Sequence, residues 1–245
     1  MVPADYEPLQ QCWLDVIARI GRAAQAAGRP PDAVRLLAVS KTFGADAVRA
    51  AWRAGQRAFG ENYVQEALAK MDATADLDGL EWHLIGPLQG NKAKDAAARF
   101  AWVHTVDRAR IAERLSAARP ASLPPLNVCV QVNISGEATK SGVAPGDVVP
   151  LAQAVARLPR LKLRGLMGLA EPTANAPLQR AQFALLRACG EDCAAAGLAL
   201  DTLSMGMSAD LDAAIAEGAT MVRVGSAIFG TRTPAAPRSS QGTDS

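Results

Sequence analysis

The stretch Arg35-Leu36-Leu37-Ala38-Val39-Ser40-Lys41 decides the fold. It is a short apolar run of strand formers that ends in a lysine. Gly44 and a helical pattern of Ala47, Val48, Ala51 and Trp52 follow at once. The pattern predicts a buried strand, a tight turn and an amphipathic helix. A lysine at the carboxyl end of a buried strand has three fates. Its charge is paired, its amine is left neutral and reactive, or its stem carries the charge out into water.

The same unit recurs outward from this stretch. Strands are predicted over 35–41, 58–62, 81–87, 102–107, 128–133, 163–169, 202–206 and 221–225. Helices are predicted over 45–54, 64–72, 91–99, 108–118, 147–158, 177–196 and 209–217. Strict strand-then-helix alternation gives a parallel sheet, and eight such units close into a barrel. The fold class is therefore α/β, a single (β/α)8 TIM-type barrel. The eighth strand has little chain left for a helix. An additional N-terminal helix over 8–27, with Leu9, Cys12, Trp13, Val16, Ile17 and Ile20 spaced by three and four, is expected to cover that gap. An open doubly wound sheet is the alternative. It usually carries a glycine-rich turn after its first strand, and Lys41-Thr42-Phe43-Gly44 lacks that spacing.

The chain has 245 residues, 49% hydrophobic and 20% charged, enough for one large core. Residues 1–7 read as a flexible N-terminus, 8–232 as the barrel and 233–245 as a disordered tail. Net charge is only +2, which gives no electrostatic case for nucleic acid. No apolar run reaches membrane-spanning length, and no signal peptide is visible at the N-terminus. Cys189 and Cys193 share a helix face, but Cys12, Cys129, His83 and His104 lie in distant segments, so no metal site is expected. Reduced cysteines fit a cytoplasmic protein.

In such barrels the site lies at the carboxyl ends of the strands. Those ends offer Lys41, Asn62, Pro87, Asp107, Asn133, Met167 with Gly168, the run Ser204-Met205-Gly206-Met207-Ser208, and Arg223-Val224-Gly225-Ser226. Side-chain alternation turns Leu37, Val39 and Lys41 inward together. It turns Arg223 and Asn133 inward while their neighbouring valines face the helices. The loops after strands 7 and 8 are the usual phosphate seat of these barrels. Ser208 suits either that seat or a helix N-cap. A phosphate seat opposite a strand-end lysine suggests a phosphorylated carbonyl compound held as a Schiff base. Two readings survive: a Schiff-base aldolase, or a protein that binds pyridoxal phosphate. Arg223, placed to reach the ring side of a ligand, favours the second.

Several motifs in fixed order then carry a family likeness. They are Ala38-Val39-Ser40-Lys41-Thr42, Phe59-Gly60-Glu61-Asn62-Tyr63-Val64-Gln65-Glu66 and Trp82-His83-Leu84-Ile85-Gly86-Pro87-Leu88-Gln89-Gly90-Asn91-Lys92. Val132-Asn133-Ile134-Ser135, Lys140-Ser141-Gly142, Leu203-Ser204-Met205-Gly206-Met207-Ser208 and Val222-Arg223-Val224-Gly225-Ser226-Ala227-Ile228-Phe229-Gly230 follow. Over about residues 8–232 the chain resembles the pyridoxal phosphate homeostasis proteins, which are alanine racemase N-terminal-domain-like. The resemblance implies pyridoxal 5′-phosphate in Schiff-base linkage to Lys41, with Arg223 facing the pyridine nitrogen. It implies a binding set of Lys41, Asn62, Ser204, Met205, Ser208, Arg223, Gly225 and Ser226, and no catalytic residue. Ser226 stands where the family often has threonine and Gly90 where it often has serine.

The implied role is intracellular homeostasis of the cofactor, by storage, carriage or delivery to apo-enzymes that use it, without an established turnover. A monomer is expected, with neither nucleic acid nor membrane as partner. The alternative is a slow pyridoxal phosphate-dependent amino-acid racemase. Related racemases add a second domain carrying a tyrosine base, which this chain is expected to lack. Tyr63 is the internal candidate for such a base, against a rim role. His83 and His104 read as satisfied core histidines. Lys140, a possible second site for the aldehyde, reads more simply as a loop lysine beside Glu137.

Overall fold

A computed structural model describes residues 6–137 and 140–230. Helix α1 (Tyr6–Ala26) precedes a regular alternation: β1 (Arg35–Val39), α2 (Ala45–Arg53), β2 (Ala58–Glu61), α3 (Val64–Ala73), β3 (Glu81–Leu84), α4 (Ala93–Arg99), β4 (Trp102–Val106) and α5 (Ala109–Ala118). It continues with β5 (Leu126–Val132), α6 (Val148–Ala156), β6 (Leu161–Gly168), α7 (Ala176–Ala195), β7 (Thr202–Ser204), α8 (Leu211–Ala216), β8 (Met221–Val224) and α9 (Ser226–Phe229). The eight strands are parallel and close in sequence order, with β1 between β2 and β8. This is the expected TIM-type barrel.

The strands are buried on both faces, as parallel strands covered by helices must be. Leu36, Ala38, Val128, Val130, Val132, Val222 and Val224 face outward into one large core under the helices. Inside the barrel, Leu37 packs with Ala58, Met221 and Ile85, and Trp102 packs with Cys129 and Met167. The predicted alternation in strands 1, 5 and 8 therefore holds. In β4 the register shifts between Val103 and Val106, both of which face the helices. The bulge puts His104 and Thr105 together on the interior side. Asp107 beyond it forms an ion pair with Arg108 at 2.7 Å and does not reach the interior, contrary to its expected place among the inward strand ends.

Two expectations at the ends of the chain need correction. Helix α1 starts at Tyr6, so residues 6 and 7 belong to it, because Pro8 is tolerated in a first helical turn. The remainder of the expected flexible N-terminus and the expected tail over 233–245 lie outside the described residues. β8 is followed by a helix after all: α9 is a single turn, too short to leave an apolar period in the sequence. Helix α1 covers the seam between β8 and β1 as expected, packing on α2, α8 and α9. Val16, Ile20 and Ala24 are its buried positions. Among the described residues, no helix is long and apolar enough to cross a membrane.

Candidate functional site

A cavity of about 710 Å³ opens at the carboxyl ends of the strands. That is within the usual range for small-molecule sites, roughly 300–1,000 Å³. Lys41, Asn62, Ser208, Arg223, Gly225 and Ser226 all line it. Ser204 and Met205 do not. Met205 is fully buried in the core under the helices, because it follows the inward-facing Ser204 and alternation turns it to the opposite face, while its N–H still donates to the Met221 carbonyl of β8. Ser204 is fully buried inside the barrel, with its hydroxyl already engaged by His104 and Arg223.

Lys41 differs from its expected setting. β1 ends at Val39, and Lys41 stands in a turn two residues beyond, exposed to the cavity. The Phe43 N–H donates to the Ser40 carbonyl at 3.1 Å and closes that turn. Thr42 follows the lysine at φ +71°, a costly conformation for a β-branched residue. What holds it lies behind the turn. The Thr42 N–H donates to Glu66 Oε1 at 2.7 Å, and Lys70 Nζ donates to the Ser40 carbonyl at 2.7 Å. Lys70 also bonds Glu61 Oε1 at 2.7 Å and Glu66 Oε1 at 2.9 Å, and the Ser40 hydroxyl bonds Glu61 Oε1 at 2.6 Å. Glu61 is fully buried, and its Oε2 has no hydrogen-bond partner. Burial pushes the Glu61 carboxyl above the ordinary carboxylate range, against the pull of Lys70 and Ser40.

On the opposite side, the loops after β7 and β8 bring Ser208 and Ser226 together, hydroxyl to hydroxyl at 3.4 Å. Ser208 is not the N-cap of α8. Asp210 occupies that position, and its side chain accepts from the Met207 N–H. The Ser208 carbonyl accepts from Arg19 Nη1 at 2.8 Å, which ties this loop to α1. Gly225 lies against β1: a Cβ there would stand 3.1 Å from the Val39 carbonyl. Ser226 opens α9, and the first N–H groups of any helix lack an intrahelical acceptor.

Arg223 lies between the two sides, 4% exposed. Its Nη1 donates to the Ser204 carbonyl at 2.5 Å and the Ser204 hydroxyl at 2.9 Å, and its Nη2 donates to the Gly168 carbonyl at 2.8 Å. Burial brings its guanidinium down to about 10, still protonated at neutral pH. Asn133 lines the cavity, but its amide is committed to its own loop, donating to the Glu137 carbonyl and accepting from Ser135 and Gly136. Lys140 also lines the cavity, with Glu137 at 3.9 Å. Tyr63 is 64% exposed at the head of α3 and does not line it.

Thr105, Gln131 and Glu171 line the cavity without having been anticipated. Gln131 was within reach of the sequence, two residues before Asn133 on the same strand face. Thr105 was not, because only the bulge turns it inward. The lining carries the three cations Lys41, Lys140 and Arg223 against the one carboxylate of Glu171. Two amines, a guanidinium and the paired Ser208 and Ser226 hydroxyls thus line a cavity biased toward an anion.

Comparison with known proteins gives the family. The family model described as alanine racemase, N-terminal domain, matches residues 15–233. A pyridoxal phosphate homeostasis protein of Pseudomonas aeruginosa is 62% identical over 224 residues, covering 91% of this chain and 96% of the relative. One of Escherichia coli is 52% identical over 221 residues, covering 87% and 92%. The structure of PipY from Synechococcus elongatus, with pyridoxal phosphate bound, has a TM-score of 0.75 at 40% identity, covering 86% of this chain and 100% of that one. With the family matched over most of the barrel and its relatives over nearly their whole length, the chain belongs to the pyridoxal phosphate homeostasis proteins of the alanine racemase N-terminal-domain family.

Proposed function

We propose that this protein binds pyridoxal 5′-phosphate in the barrel-end cavity through a Schiff base at Lys41, and that it holds and supplies the cofactor rather than turning over a substrate. One observation carries the reading. The Lys41 amine, the Arg223 guanidinium and the Ser208–Ser226 hydroxyl pair line one positively biased cavity. Pyridoxal phosphate, when bound, brings an aldehyde, a pyridine ring that takes up electron density and an anionic phosphate. Each has a matching group here. Lys41 meets the aldehyde, Arg223 the ring, and Ser208, Ser226 and the backbone at Gly225 the phosphate, with Asn62 at the rim. PipY, holding the same cofactor on a related barrel, supports the assignment.

Two features favour holding over turnover. Arginine only donates hydrogen bonds, so a ring nitrogen facing Arg223 must accept and stays unprotonated, which weakens the ring as an electron sink. Tyr63, the candidate base, points to solvent. The proposed unit is a cytoplasmic monomer that passes cofactor to apo-enzymes. Its free cysteines suit a reducing compartment.

The test is a visible absorbance spectrum of protein soaked in pyridoxal phosphate, before and after borohydride, with peptide mapping. The expected result is a visible band whose reduction labels Lys41. Lys41→Ala should lose the band yet keep weaker binding by calorimetry, since charge-assisted hydrogen bonds of about 1.5–3 kcal/mol each remain at the phosphate end. A parent that stays colourless refutes the reading. Pyridoxal binding as tightly as its phosphate ester would refute the phosphate seat. Racemisation of alanine at about 1 per second or faster would show an enzyme instead.

A further inference from the structure

The interior of such a barrel is ordinarily filled by branched apolar side chains. Here a polar line crosses it. Arg35 Nη1 lies 2.8 Å from Glu81 Oε1 at the end of the barrel opposite the cavity. Glu81 Oε1 lies 2.6 Å from His83 Nε2, His83 Nδ1 lies 2.9 Å from His104 Nε2, and His104 Nδ1 lies 3.0 Å from Ser204 Oγ. Ser204 Oγ then accepts from Arg223 at 2.9 Å. The line passes from β3 to β4, across the interior to β7, and on to β8. His83, His104 and Ser204 are fully buried.

The direction of every hydrogen bond in this line follows from one end. Glu81 is a carboxylate paired with Arg35, so it only accepts, and His83 Nε2 must donate. Both imidazoles are neutral: burial brings His83 down to about 4 and His104 well below its ordinary value. His83 Nδ1 is therefore bare and accepts from His104 Nε2–H. His104 Nδ1 is bare in turn and accepts the Ser204 hydroxyl proton. That leaves the Ser204 oxygen facing Arg223 as an acceptor only. Three of the five guanidinium N–H groups are thus taken, by the Ser204 carbonyl, the Ser204 hydroxyl and the Gly168 carbonyl. Two are left for a ligand in the cavity. Successive bonds that point the same way polarise one another, so the far carboxylate strengthens the last acceptor in the line.

We propose that Glu81, His83, His104 and Ser204 are positioning residues: a one-way hydrogen-bond line that fixes the plane of Arg223 and so sets the field at the ring of the bound cofactor. The proposal rests on the pyridoxal phosphate reading for its ligand, but its geometry exists without one.

The decisive variant is Glu81→Gln, which lies at the far end of the barrel and nearly keeps the shape of the side chain. Two measurements are made on the full chain. The first uses ¹⁵N-labelled histidine in the ligand-free protein. The chain has only His83 and His104, so two rings report. Both are expected neutral with the proton on Nε2, and in E81Q that single tautomer is lost for His83. The second uses pyridoxal phosphate carrying ¹⁵N in its ring. In E81Q its nitrogen signal and visible band are expected to shift, and affinity to fall about three- to tenfold, the scale of one weakened buried hydrogen bond. Ser204→Ala is expected to produce the same shifts, larger. Protonated rings or Nδ1–H tautomers in the parent overturn the line. Unchanged ring signal, band and affinity in both variants overturn its effect on the site. A parent that binds no pyridoxal phosphate overturns the proposed function, while the histidine signals still judge the line.

Discussion

Lys70 is 7% exposed by its side chain and holds the buried Glu61 from one side and the turn of Lys41 from the other. Removing one partner of a buried ion pair strands the other charge, at roughly 3–5 kcal/mol. Lys70→Met should therefore destabilise the protein by about that amount near neutral pH. Glu61 already binds its proton more tightly when folded than when unfolded, so the stability linked to that proton is present at acid pH and lost as pH rises above the ordinary carboxylate value of 4.5. Stranding the charge extends that loss. The deficit of K70M relative to the parent should then be small near pH 4 and grow upward. Urea unfolding at both pH values checks this, and an equal deficit at the two would count against a charged Glu61. The sequence showed Lys41 and its neighbours but not this brace. Ser40, Glu61, Glu66 and Lys70 meet only because β1, β2 and α3 fold over one another, and none of them stands out in the apolar pattern.

At the scale of elements, the strand-and-helix alternation was legible because it is written in apolar periodicity; strand parity turned Lys41, Asn133 and Arg223 toward the cavity, and six of the eight residues the family resemblance implies line it. What was lost depends on tertiary hydrogen bonding. β1 and β7 each stop two residues short of the expected end, at Val39 and Ser204, with isolated backbone bonds, from Ser40 to Gly60, from Met205 to Met221 and from Arg223 to Gly206, carrying on beyond them. The bulge in β4 and the one-turn α9 leave no period to read. The link from His104 to Ser204 joins residues a hundred positions apart. Helix α1 was legible as an amphipathic stripe, and its structure predicts a cost. Ile20 is 2% exposed in the core it shares with the barrel helices. Ile20→Ala should cost about 2–5 kcal/mol. Chemical denaturation measures it, and a loss below about 1 kcal/mol would mean that α1 seals nothing.

For the whole molecule, the buried histidines set the response to acid. In the unfolded chain each takes up a proton near pH 6.5. In the fold, burial holds His83 neutral down to about 4 and brings His104 well below its ordinary value. The unfolded state therefore binds more protons across that window, and stability is lost as pH falls through it. Each histidine contributes a slope of up to about 1.4 kcal/mol per pH unit. Glu81 adds loss in the same direction below 4.5, since the hydrogen bond from His83 and the charge of Arg35 outweigh its burial. Glu61 opposes it. Unfolding midpoints should fall steadily from pH 6.5 to 4.5, and a flat profile there would refute the neutral pair. The closure of the barrel has a consequence of another kind, in the order of synthesis. Helix α1 is made before the strand and helix it covers, since it packs on α8 and α9 across the seam of β8 and β1. At the usual pace of translation, the ribosome takes on the order of ten to forty seconds to travel from Ala26 to Ser226. Throughout that time Val16, Ile20 and Ala24 have no finished surface to bury against. The nascent chain carries an open apolar stripe until its last strand emerges, which makes α1 the segment a chaperone would meet first and release last.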